Sequence, residues 1–221
     1  MTYEEFWSPV LLSLRVALTA GAFAFSVAAV TAWWMAGRRF RGKTLLETLM
    51  MLPLVLPPTV IGFLLLLVLG RESVTGRMLE TIFSQSPVFT WWAAVIAAGV
   101  VSFPLIYQTV KTGLEGVEGE LEEAARTMGA GEWQVFRFVT LPLAWRSLVT
   151  AAILGLARGL GEFGATLMVA GNIPGRTQTV PTAIYLAVDA GNWVLAAAWA
   201  GTIISISFLL LALGGRLARG N

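Results

Sequence analysis

Residues 114–143 read LEGVEGELEEAARTMGAGEWQVFRFVTLPL, the one long polar stretch in a chain whose other long runs are apolar. It carries Glu115, Glu118, Glu120, Glu122, Glu123 and Glu132, with Arg126 and Arg137 among them. Leu121, Ala124 or Ala125, and Met128 recur at three-to-four spacing, which predicts an amphipathic helix from about Gly119 to Met128. Glu122 and Arg126 stand four apart with the acid first, the favourable order on a helix. Gly129 is placed to stop that helix in a left-handed turn. A second short amphipathic piece, Trp133 to Val139, leads to Pro142, which suits the first turn of a following membrane helix. The two alanines offer a helix face without bulk, suited to close seating in a groove.

On these residues rests a resemblance. Glu123-Ala124-Ala125, three residues, Gly129, nine residues, then Val139-Thr140-Leu141-Pro142 resembles the EAA loop of bacterial ABC importer permeases. That loop runs EAA, three residues, G, nine residues, then I-x-L-P, and Val139 for isoleucine keeps the branched shape. The resemblance implies that Glu123, Ala124, Ala125, Gly129, Leu141 and Pro142 belong to a coupling element that docks into a separate ATP-hydrolysing subunit. A helix-favouring loop rich in Glu, Ala and Arg would explain EAA alone, but not a pattern of seven positions.

Outward from that loop the chain is apolar. Of its 221 residues 57% are hydrophobic and 13% charged, against about 25% charged in soluble domains. The composition predicts a single all-α membrane domain over 1–221, a polytopic helical bundle of about five transmembrane helices with its loop at about 114–142. With neither Cys nor His, disulfides, thiolate nucleophiles and histidine-based metal or proton chemistry are excluded. No acidic cluster suggests a metal site, and no basic block points to nucleic acid.

Met1 to Pro9 has no Lys or Arg, unlike a secretory signal, so the run Ser8–Ala36 is expected to be a retained span. Its length covers a core of about 30 Å with tilt. Arg15 near its start can snorkel to one interface, and Trp33 and Trp34 mark the other. The span Leu45–Leu69 contains Pro53, Pro57 and Pro58, which predicts a broken helix at the subunit centre, with a kinked packing helix as the alternative. Gly70–Phe89 reads as a polar outer loop and Trp91–Val110 as the third span. Leu143–Ala170 reads as the fourth span, with Gly155 and Gly159 forming a GxxxG for close helix approach. Asn172–Asn192 reads as an outer segment whose Ile184–Val188 portion is too short to span and is re-entrant or interfacial. Trp193–Leu213 is the fifth span.

Ten of the 15 Lys and Arg residues fall in the segments around 37–47, 111–146 and 216–219, and three in the opposite segments. That bias predicts the N-terminus outside, the Glu-rich loop in the cytoplasm and the C-terminus inside. Gly37–Thr44, GRRFRGKT, matches the P-loop pattern GxxxxGK[ST] letter for letter. The pattern needs a buried strand before it and a helix N-terminus after it to cradle phosphate. A membrane span precedes it here, so the stretch reads as a basic hairpin that fixes topology, and this chain is expected to bind no ATP.

The resemblance extends beyond the loop. Gly161-Glu162-Phe163-Gly164-Ala165 with Asn172-Ile173-Pro174-Gly175-Arg176-Thr177, Leu52–Pro58 and Ser102–Leu105 resemble the molybdate branch of the permeases. The first block is similar to sulfate permeases too, and tungstate is hard to separate. The resemblance implies a homodimer in a bacterial or archaeal cytoplasmic membrane, with two ABC ATPase subunits that bind ATP and Mg and a periplasmic or extracellular oxyanion-binding protein. Pro57, Pro58, Thr59, Ser102, Tyr107 and Gln108 are candidates for the path, the polar ones as weak donors or as helix-packing groups. Arg158 and Glu162, four apart near the middle of the fourth span, are expected to pair, as a structural ion pair or as a gate latch. A secondary anion transporter would use more intramembrane acids than Glu162 and repeated halves. A membrane enzyme lacks a nucleophile–base pair, and a purely structural subunit leaves the loop pattern unexplained.

Overall fold

The computed structural model describes residues 3–219 of the expected 1–221 domain; the first two and last two lie outside the described residues. The elements are all helical: α1 (Tyr3–Met35), α2 (Lys43–Val55), α3 (Pro58–Leu69), α4 (Val74–Phe83), α5 (Trp91–Glu115), α6 (Gly119–Thr127), α7 (Glu132–Val135), α8 (Leu141–Leu160), α9 (Gly164–Ala170), α10 (Val180–Asp189) and α11 (Trp193–Arg219). A π-helical turn, Phe136–Thr140, joins α7 to α8. Four stretches are long and apolar enough to cross a membrane: Glu4–Met35, Trp91–Glu115, Glu132–Leu160 and Trp193–Leu217. The pair α2 and α3, bent by 115°, makes a fifth if the two count as one broken span.

Helix α5 is the axis of the bundle, packed on α1 and α8 and touched by α2 and α9. Small residues make this contact close: Ala93, Ala94, Ala97 and Ala98 are all buried. Across from them, a side chain at Gly155 would overlap Ile106, and one at Gly159 would meet Ser102 and Ala17. The Gly155–Gly159 pair thus seats α8 against both α5 and α1, as a small-xxx-small face does. Helix α11 lies outside, on α8 and α10.

Two long-range polar contacts fasten the end of the bundle near the start of α1. Ser13 accepts the first amide of α10 from Val180 at 2.8 Å, and Trp199 donates to the Phe6 carbonyl at 3.0 Å. Arg15 lies 4.0 Å over the ring of Trp91, the first residue of α5. At the other end Trp33 packs on Phe136, 5.1 Å between ring centroids.

Several boundaries differ from those read in the sequence. The fourth span is not one helix over 143–170: α8 ends at Leu160, residues 161–163 break it, and α9 resumes at Gly164. Glycines on both sides of Glu162 weaken the helix there, and the Glu162 carboxylate takes over as the cap of α9, accepting from the Ala165 amide at 2.9 Å. Pro142 falls in the first turn of α8 as expected, but α8 does not begin afresh there, because the π turn makes it continuous with α7 from Glu132. Proline supplies no amide and crowds the carbonyl four residues earlier. The π turn meets this locally, with Leu141 donating to Phe136 five residues back.

The α2/α3 break exists, but Pro57, Pro58 and Thr59 are exposed on the surface of the chain, and no α2 residue is buried. The break therefore faces outward from the subunit and not into its centre. The loop 70–89 holds α4, capped by Ser73, which accepts from Gly76 at 2.8 Å. Ile184–Val188 is part of α10, which packs on α11 and α1 and so joins the bundle at one end.

Candidate functional site

The Glu-rich loop is built as expected. Helix α6 ends at Gly129 with φ +91°. Ala130 donates to Ala125 at 3.1 Å and Gly129 to Arg126 at 2.9 Å, the paired bonds of a Schellman ending. The two alanines face opposite ways. Ala125 is buried against the chain's own side, whereas Glu123 and Ala124 are exposed with Thr127 and Met128, the last 82% exposed. Only one of the pair is therefore free to seat in a partner, and Ala125 is small so that α6 can lie close to its own bundle. Past the turn, Trp133 and Phe138 are also exposed, while Leu141 and Pro142 sit on the surface at the start of α8.

Side-chain contacts hold α6 to the rest. Arg126 grips Glu132 with two donors, Nε to Oε1 at 2.7 Å and Nη2 to Oε2 at 3.2 Å. This bond holds the guanidinium above its ordinary pKa. Arg126 also meets Glu122 at 3.4 Å, the expected i,i+4 pair. Glu122 in turn accepts from the buried Thr140 hydroxyl at 2.6 Å, inside the π turn. The polar helix and the head of the fourth span form one unit through three ionised side chains. Beside it opens a cavity of about 710 Å³, whose lining includes Trp33, Arg38, Lys43, Glu122, Arg126 and Glu132.

The 37–44 hairpin borders the same cavity. Its lysine is already engaged: Lys43 Nζ donates to the carbonyls of Met35 at 3.0 Å and Arg38 at 2.9 Å. It thereby ties the last carbonyl of α1 to the hairpin carbonyl of Arg38, and a cation at that helix end also suits the helix dipole. A helix, not a strand, precedes the hairpin. The P-loop letters thus serve as a helix C-cap.

Near mid-span the two helix breaks meet. A side chain at Gly164, the first residue of α9, would lie 3.1 Å from Pro58 and 3.3 Å from the Thr59 amide, at the start of α3. Arg158 Nη1 donates to Glu162 Oε2 at 3.0 Å, so the expected pair forms across the end of α8. Ser102 and Tyr107 are buried inside the chain; Ser102 lies against Gly159, and Tyr107 donates to Glu47 at 3.3 Å. The structure gives both of them packing positions away from the surface. Gln108 is exposed and reaches only Thr112, at 3.5 Å.

Glu47 was not singled out in the sequence. It accepts from Lys111 at 2.6 Å and Tyr107, with Lys43 at 3.9 Å, while Lys111 also meets Glu115 at 3.8 Å. This cluster clamps α2 to α5 at the loop end of the bundle. The signal was present: an acid inside an apolar run demands a partner. Among the described residues, no group of three or more acidic side chains is placed to hold a metal ion.

Known proteins share this architecture. The fold matches a chain in the solved inward-facing conformations of the MetNI methionine ABC transporter, with a TM-score of 0.78 at 19% identity over 99% of this chain and 98% of that one. In sequence the chain is 55% identical over 208 residues to YvgM of Bacillus subtilis (strain 168), provisionally named a molybdenum transport system permease, covering 94% of this chain and 92% of that one. It is 44% identical over 207 residues to the molybdenum transport system permease protein ModB of Escherichia coli (strain K12), covering 94% and 90%. The model of the binding-protein-dependent transport system inner membrane component matches residues 26–219. The chain therefore belongs to the family of inner membrane components of binding-protein-dependent transport systems.

Proposed function

We propose that this chain is the permease of an ATP-driven importer for molybdate. Similarity at 55% and 44% identity along nearly the whole length to permeases named for molybdenum transport carries the substrate. Tungstate and sulfate are the competitors to test. In this reading the N-terminus is outside, the loop 114–142 is cytoplasmic, and two copies of the chain stand over two ATPase subunits that bind ATP and Mg. The chain has no catalytic site of its own. A binding protein delivers the anion from outside, in keeping with the family's description.

The observation that supports coupling is the rigid presentation of α6. Its exposed edge, Glu123, Ala124, Thr127 and Met128, is backed by the Glu122–Thr140 and Arg126–Glu132 contacts. ATP-driven approach of two ATPase subunits against two such edges would move α8 with α6. The test is joint purification with the candidate ATPase and binding protein, then uptake into proteoliposomes. Uptake of labelled molybdate that requires ATP and yields to tungstate before sulfate is expected. ATP-independent uptake would reject the ABC reading, and preferential competition by sulfate would reject the substrate.

A further inference from the structure

Arg158 is the cation near the midpoint of a span, since its neighbour Gly159 packs against Ser102, halfway along α5. It pairs with Glu162, yet the two members of the pair are not alike. Both Glu162 oxygens are taken, Oε2 by Arg158 at 3.0 Å and Oε1 by the Ala165 amide at 2.9 Å. The Glu162 side chain is 1% exposed, whereas that of Arg158 is 32% exposed. A pair kept only for packing would hide both charges. Here the acid is locked into the start of α9, and the Arg158 side chain, with five N–H groups in all, stays partly exposed.

What lies beside it is the other break. Gly164 abuts Pro58 and Thr59, and Pro57 to Val60 are exposed. Helix α3 starts there with no side-chain cap at Pro57; Pro58 has no amide hydrogen and the Val60 and Ile61 amides donate to the Pro57 carbonyl, which leaves the Thr59 amide at the positive end of the helix dipole. A partly exposed arginine and the start of α3 are therefore linked through Glu162 and Gly164, at a depth where an ion without a partner costs about 2.5–3.5 kcal/mol on insertion scales.

We infer that Arg158 is the group a tetrahedral divalent oxyanion touches at the mid-membrane break, and that Glu162 keeps the contact weak. This rests on the oxyanion-permease reading above. A planar guanidinium matches two oxygens of such an anion. Passage also requires release, so binding must be favourable enough to enter and weak enough to leave. Glu162 meets that need because it is fixed by the Ala165 amide and shares the guanidinium permanently. The anion gains hydrogen bonds without gaining a full unopposed charge.

The test uses the complete importer in proteoliposomes, with labelled molybdate uptake and ATP hydrolysis measured together, and the purified complex for retention. Glu162→Gln frees the full charge of Arg158; the expected result is molybdate retained on the complex after desalting, where the unaltered complex retains none, and slower uptake. The double variant Arg158→Gln with Glu162→Gln leaves no unpaired charge, so it accumulates, and it moves about tenfold less molybdate per ATP. Arg158→Lys keeps charge without the fork and falls between, which serves if the double variant is not recovered. Unchanged molybdate moved per ATP in the double variant or in Arg158→Lys, or no retention by Glu162→Gln, overturns the inference. An unaltered complex that takes up no oxyanion overturns the oxyanion-permease reading itself, and this inference with it.

Discussion

Thr140 donates its hydroxyl to Glu122 at 2.6 Å, joining the π turn to a helix eighteen residues earlier. The hydroxyl is buried, and bonds to ionised acceptors are the stronger kind. Thr140→Val keeps the branched shape and removes the donor. Its expected effect is a loosened α6, worth about 1–2 kcal/mol at this half-exposed site. Limited trypsin digestion reads this directly: cleavage after Arg126 should speed up several-fold while the spans stay intact. An unchanged cleavage rate would show that the contact does not hold the helix.

Gly129 at φ +91° occupies a region that branched residues resist. Nothing lies within 4 Å of a side chain placed there, so the penalty is conformational and not steric. Gly129→Val should insert normally but lose ATPase docking and transport, and Glu123→Ala should be milder. Co-purification of the ATPase subunit measures both. Full transport by Gly129→Val would end the coupling assignment of this loop.

Lys43 gives a test of the rejected nucleotide motif. Lys43→Ala removes one bond to the end of α1 and one to the hairpin, and should lower thermal stability slightly. Uptake driven by ATP should stay near normal. Loss of uptake from correctly folded protein would instead point to a role for Lys43 in turnover.

A chain without cysteine accepts single reporters cleanly. Thr177 would be a poor one, because it is buried with its hydroxyl accepting from the Ile173 amide at 2.9 Å. Exposed Arg176 and Glu72 are better placed. Cysteines at those two positions should react with an impermeant maleimide in intact cells, and one at Met128 only after lysis. Reaction of the Met128 position in intact cells would invert the topology.

The α5–α8 contact predicts a stability effect apart from transport. Gly155→Ile forces a branched side chain into Ile106. Overpacking of this kind costs about 1–3 kcal/mol. A lower melting temperature in detergent is expected, and an unchanged one would mean that the two helices separate freely.

The loop was the most legible part because its signals are local: a helix period, a terminating glycine and an i,i+4 pair each act within a few residues. The membrane spans were legible through length and apolarity. The missed features depend on distant partners. Nothing near Gly161 announces that α8 ends there, since GxxxG continues a helix as readily as GEFG breaks one; the Ala165 amide on Glu162 decides it. Nor does Ala125 reveal which way it faces until α6 is laid against α7 and the π turn. Tyr107 looks like a pore donor in sequence because polarity in a span has two outlets, a cavity or a buried partner, and the spacing is the same for both; Ser102 is instead small enough to sit against Gly159, with its hydroxyl buried and unpartnered.

From Glu132 to Leu160 the helix runs without a joint, through a π turn and not a loop. At about 1.5 Å per residue, Arg158 stands roughly 27 Å along the same rod from Thr140. A push received at Thr140 reaches Arg158 with little slack, because the π turn ends at Thr140 and the α-helical ladder beyond it is unbroken. Under the proposed coupling role of α6, a motor stroke and an opening at the break would be a single displacement, its timing set by stiffness with no relay of side chains between them.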